Sequence, residues 1–170
     1  KSETRELHTA ERERRAKNLA LLRTMRLTTE MRVHDSFFYV YQCDFRGRVY
    51  ATASGLNPQG TDQSKGLIEF ANGKALGTTG YKWFMINAAN KYGYDKVSYD
   101  ERVAWVEDNA AKWIAVASDP ISNRSVWTDA DKPWQFLAWC FEFYDMLGMD
   151  DHRDFVSHLP VGLDGSCNGL

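Results

Sequence analysis

With 170 residues, 44% of them hydrophobic and 14% aromatic, the chain is long enough to bury a core and too apolar to stay disordered. The net charge of −2 gives no overall bias toward a polyanion, but residues 1–34 carry nine Lys or Arg against five Asp or Glu, and the remainder 12 against 18. A basic arm on an acidic body hints at a polyanionic partner. No apolar run approaches the ~18 residues of a membrane span, and no secretion signal opens at Lys1. Cys43, Cys140 and Cys167 lack the close spacing of a zinc site or a disulfide framework, which fits a reducing compartment.

Thr4 to Met31 contains neither Gly nor Pro and is rich in Arg, Glu, Leu and Ala, so it reads as one long helix. Its first half is basic (Arg12, Arg14, Arg15, Lys17), and Leu19, Leu22, Met25 and Arg26 start an apolar stripe in the second. The basic half is either a nucleic-acid face or a solvated surface laced by Glu11–Arg15 and Glu13–Lys17 pairs at i, i+4.

Phe37–Cys43 and Arg48–Ala53 read as strands. Between them, Asp44-Phe45-Arg46-Gly47 carries Asp and Gly at the first and fourth positions of a type I turn, which makes an antiparallel hairpin. Alternation puts Arg48, Tyr50 and Thr52 on one face and the small apolar Val49, Ala51 and Ala53 on the other. A guanidinium beside a phenol suits a nucleic-acid backbone and base. The same two residues would serve as well if Arg48 paired with a carboxylate and Tyr50 capped the core.

Asn57-Pro58-Gln59-Gly60 is a turn with Pro second and Gly fourth. Short helices are expected over Gly66–Asn72 and Tyr81–Tyr92, ended by Gly73 and Gly93. Ser98-Tyr99-Asp100-Glu101 is a capping box whose helix should run to about Ser118, and Asp131-Lys132-Pro133 opens a last helix that stops at Gly148. All six tryptophans lie in this region, where helical spacing reads as core rather than as a base-stacking platform. The acidic run around His152 reads as a solvated turn, with cation binding the alternative, and His8, His34, His152 and His158 share no metal-like spacing. Val156 to Leu163 is an apolar strand ending in Asp164-Gly165, a combination that can hold a metal ion but also ends many ordinary strands. The fold class is therefore α+β, with helices dominant.

Asp44 to Tyr50, followed by Leu56-Asn57-Pro58-Gln59-Gly60-Thr61-Asp62 and Lys65-Gly66, resembles the palm-entry segment of single-subunit, bacteriophage-type DNA-directed RNA polymerases, which include the mitochondrial enzymes. Leu163-Asp164-Gly165-Ser166-Cys167-Asn168-Gly169-Leu170 resembles motif A of that family, with Asn168 where many relatives carry Ser, and Phe136 to Phe143 is also similar. The resemblance covers Phe37 to Leu170. It implies a thumb-derived helix over residues 1–35, lying alongside the template–transcript duplex, and a palm segment over 36–170. That segment would hold a hairpin at 37–53, a helical insertion at about 65–150 and a motif A strand at 156–165.

The resemblance also implies chemistry. Asp164 would be one of two Asp side chains holding a catalytic magnesium pair, with the Gly165 carbonyl as a further ligand; the second Asp lies beyond Leu170 in the family. Arg46, Arg48, Tyr50 and Lys65 would contact nucleic acid. The implied partners are a DNA template, the RNA transcript, ribonucleoside triphosphates and the rest of a polymerase chain, in a host cytoplasm for a phage-encoded enzyme, with the mitochondrion as the alternative. The missing initiating Met and the end within Cys-Asn-Gly-Leu suggest a piece of a longer protein, inactive alone. The rival reading is a non-catalytic nucleic-acid- or partner-binding module, or one half of a split polymerase.

Overall fold

The structure is a computed structural model that describes residues 2–162. It contains two compact units, the first ending at Lys65 and the second starting at Gly66. Helices dominate, joined by small antiparallel sheets, so the molecule is of the α+β class.

In the first unit, α1 (Ser2–Met31) runs unbroken for 30 residues. Glu11 pairs with both Arg14 and Arg15 at 2.7 Å, while Glu13 and Lys17 are not joined. The expected apolar stripe is not what the helix buries: Leu19, Leu22 and Met25 are exposed, and Thr24 is buried instead. Thr24 and Thr28 turn their hydroxyls back onto the carbonyls of Ala20 and Thr24. With those groups satisfied, Gly55, at φ +86°, sits beside Thr24 and Leu27.

The hairpin strands are β1 (Tyr41–Cys43) and β2 (Val49–Ala51), with Gln42 opposite Tyr50. Both are shorter than their composition suggests. The last rung at the open end is Thr52 N–H to the Val40 carbonyl, 2.9 Å. Phe38 before it is 92% exposed, so β-forming residues without a partner backbone do not extend the ladder. Helix α2 (Asp62–Gly66) follows.

In the second unit, the helix expected over 66–72 is absent. Gly66 lies against the Trp134 backbone, where a Cβ would come within 2.7 Å. Beyond it Leu67 sits in a turn, the Phe70 amide bonds to the His158 carbonyl, residues 71–72 bend, and β3 (Lys74–Ala75) pairs with β4 (Val156–Ser157). These long-range bonds outweigh a weak local helix preference. Of the strand expected over residues 156–165, only Val156–Ser157 forms one and 158–162 do not; Leu163 onward lies outside the described residues.

Helix α3 (Gly77–Tyr92) ends at Gly93 in the left-handed conformation, φ +106°. The capping box forms at Ser98, opening α4 (Tyr99–Asp108). The single helix expected from there to Ser118 is interrupted: the Asn109 side-chain amide donates to the Trp105 carbonyl at 2.8 Å, and α5 (Ala110–Ser118) starts afresh. After α6 (Arg124–Trp127), α7 (Pro133–Leu147) begins with Pro in its first turn.

These helices enclose the core of Phe84, Met85, Val106, Trp113, Val116, Phe136, Trp139, Phe143 and Met146, sealed by Phe155. Trp113, Trp127 and Trp139 are buried, with each indole N–H donating to a backbone carbonyl at 2.9–3.0 Å. Trp83 and Trp134 are exposed, so helical spacing overstated the core by two tryptophans.

Candidate nucleic-acid interface

The turn of the hairpin is organised by one carboxylate. Asp44 Oδ1 accepts the amides of Arg46 and Arg48, each at 2.9 Å, and Oδ2 accepts Arg46 Nε at 3.0 Å and Nη2 at 2.9 Å. Gly47 closes the turn at φ +80°, its amide 3.0 Å from the Asp44 carbonyl. Foremost the Arg48 amide, then the Arg46 guanidinium and amide and last the Tyr50 hydroxyl, hold the Asp44 carboxyl below its ordinary range.

That arrangement separates the two arginines. Arg46 is exposed, but much of its charge is spent on Asp44, and its guanidinium lies 5.5 Å from the Phe45 ring. Arg48 meets Asp44 only through its backbone, and among the described residues no carboxylate pairs with its guanidinium. Tyr50 is exposed two residues on. Of the opposite face, expected to pack, Val49 is half exposed and Ala51 and Ala53 are partly buried.

The loop after β2 carries an arrangement that residue patterning missed. Gln59 Nε2 donates to the Val49 carbonyl at 2.8 Å, and its Oε1 accepts the Ala51 amide at 2.7 Å. Asn57 braces the loop, accepting the Gln59 amide at 2.8 Å and donating to the Ala53 carbonyl at 2.9 Å. The buried Ser64 hydroxyl in α2 ties in Gly55 and Asn57. The Pro-Gly spacing shows the turn, but nothing periodic marks where its side chains reach. Lys65 follows Ser64, half-buried, with no ion pair among the described residues.

In the second unit, the Glu142 carboxylate accepts the Ser157 hydroxyl at 2.5 Å and the His158 amide at 2.8 Å. It thereby anchors to α7 the segment that leads toward Asp164. Asp164 and Gly165 themselves lie outside the described residues. Within the described residues no group of three His, Cys, Asp or Glu is placed to hold a metal. The acidic run near His152 is a 3-10 turn in which Asp151 caps the Arg153 amide and pairs with its guanidinium.

The sequence profile described as DNA-dependent RNA polymerase matches residues 74–170. The chain belongs to the phage-type DNA-dependent RNA polymerase family. It is 41% identical over 135 residues to the mitochondrial DNA-directed RNA polymerase of Neurospora crassa, covering 79% of this chain and 10% of the relative. It is 42% identical over 138 residues to the DNA-directed RNA polymerase of Enterobacteria phage K11, covering 81% and 15%. To T7 RNA polymerase of Escherichia phage T7 it is 38% identical over 158 residues, covering 92% and 17%. At that coverage the T7 match takes in the hairpin of this polymerase-family chain as well as its helical unit. The chain spans between about a tenth and a sixth of the length of these relatives. No helix among the described residues is long and apolar enough to cross a membrane.

Proposed function

We propose that this chain is the palm-entry part of a DNA-directed RNA polymerase, with residues 1–35 as its thumb-derived helix, 36–170 as palm, and the hairpin as a contact for template or transcript. The observation that carries the contact is the Arg48 guanidinium, exposed and, among the described residues, without a carboxylate partner, beside an exposed Tyr50. The locked turn directs the Arg48 amide inward and leaves its charge for a phosphate, while the phenol offers a stacking surface. Lys65 adds a point charge, and Arg46 a guanidinium already shared with Asp44.

Asp164 and the Gly165 carbonyl are the groups we assign to magnesium. When bound, two magnesium ions would supply charge neutralisation for transfer of a nucleotidyl group from a ribonucleoside triphosphate to the RNA 3′-hydroxyl, with pyrophosphate leaving. The 170-residue chain alone offers one such carboxylate, so we expect it to bind magnesium weakly and to add no nucleotides.

Two variants of the intact polymerase test this reading. Arg48→Ala should weaken binding to a template–transcript hybrid and lower the salt slope of that binding by about one. Asp164→Asn keeps the shape and loses the charge, so it should abolish nucleotide addition while leaving DNA binding largely intact. Normal hybrid binding by the first, or near-normal transcript synthesis by the second, would overturn the corresponding assignment.

A further inference from the structure

The outer edge of β2 is occupied by a side chain. Asp44 and Val40 bond to Arg48 and Thr52 through their backbones, so the even-numbered residues of this strand face β1. In an antiparallel pair the alternate residues then direct their amides and carbonyls the other way. On β2 these are the Val49 carbonyl and the Ala51 amide, and the Gln59 amide group takes both. A primary amide has a donor and an acceptor on one planar group, so a single Gln supplies the bond pair that a third strand would make.

The position of these bonds gives them a purpose. The Val49 carbonyl belongs to the peptide unit before Tyr50, and the Ala51 amide to the unit after it. Gln59 therefore clamps both peptide planes flanking Tyr50 and so sets the direction in which that side chain leaves the strand. Gln59 is itself held: its backbone N–H donates to Asn57 Oδ1, and the Asn57 backbone N–H donates to the Ser64 hydroxyl, each at 2.8 Å. The turn closes at Gly60, where a Cβ would stand 3.0 Å from that hydroxyl.

We infer that Gln59 is a positioning residue for nucleic-acid binding, acting through Tyr50. The inference rests on the proposed role of the hairpin face. A clamped strand holds the ring in place before nucleic acid arrives, so less ordering is left to the binding step.

The test is a double-mutant cycle in the intact polymerase, reading affinity for a template–transcript hybrid by fluorescence anisotropy at fixed salt. Tyr50→Ala should weaken binding about tenfold, as loss of one stacking contact does. Gln59→Ala should approach that loss, and the double variant should bind no worse than Tyr50→Ala alone. Gln59→Met keeps the length of the side chain without adding charge and loses both bonds, so it should match Gln59→Ala; it carries the cycle if Gln59→Ala does not fold. Full additivity with Tyr50→Ala, or unchanged binding in the Gln59 variants while Tyr50→Ala is impaired, would overturn the positioning role and leave the hairpin assignment standing. Unchanged binding in both Tyr50→Ala and Arg48→Ala would overturn the hairpin assignment, and the inference with it.

Discussion

Asp151 and Asp44 use their carboxylates in the same way, each closing a turn by accepting the amide and guanidinium of an Arg two residues later. At Asp151, foremost the Arg153 guanidinium and then its amide hold the carboxyl at about 2. A folded-state value below the unfolded one, about 3.9, means that the contribution to stability is present above the unfolded value. It is lost as pH falls toward about 2. Thermal melts across that window should show part of the acid destabilisation removed by Asp151→Asn, and raised salt should shrink the difference because the pair is exposed. The cysteines separate just as clearly. Cys43 is exposed, whereas Cys140 is fully buried and its thiol is pushed up by burial. Since the thiolate is the reactive form, iodoacetamide followed by peptide mapping should find Cys43 alkylated in the native protein and Cys140 only after unfolding.

Helix ends show how residue types that look alike in sequence come to differ in structure. Gly93 and Gly148 both follow long helices, but Gly93 has φ +106° and Gly148 has φ −78°. A Cβ at Gly93 would also stand 2.7 Å from Asp131 Oδ2, while at Gly148 the nearest atom is a carbonyl at 3.3 Å. Gly93→Ala should therefore cost more than about 1 kcal/mol in urea denaturation, and Gly148→Ala clearly less. Ser98→Ala removes the hydroxyl of a complete capping box and should cost about 1 kcal/mol in the same assay.

Over the whole molecule, stability is concentrated in the helical core. Trp139 is completely buried, stacks on Phe143 at 4.8 Å between ring centres, and donates its indole N–H to the Phe84 carbonyl. Trp139→Ala should lose roughly 3–5 kcal/mol. Trp83 is 53% exposed and meets Tyr99 edge-on, so Trp83→Ala should cost under about 1 kcal/mol. Equal losses for the two in chemical denaturation would contradict this division of core and surface.

What the sequence determined by itself was whatever depends on near neighbours. The Gly- and Pro-free run became α1, Asp44 and Gly47 made their turn, and Ser98 with Glu101 made its capping box. In each case the donor and acceptor lie within a few residues, and the residue types state the geometry. The family too was legible, through ordered motifs at the right separation. Tertiary structure decided what depends on distant chain. Gly66 is drawn against Trp134, and residues 70–75 pair with a segment some 80 positions later instead of forming a helix. Thr24 rather than the leucines of α1 is buried, and Gln59 reaches back to the edge of β2. An unpaired backbone edge or a buried hydroxyl takes its partner wherever folding places one, and that choice leaves no period in the sequence to read.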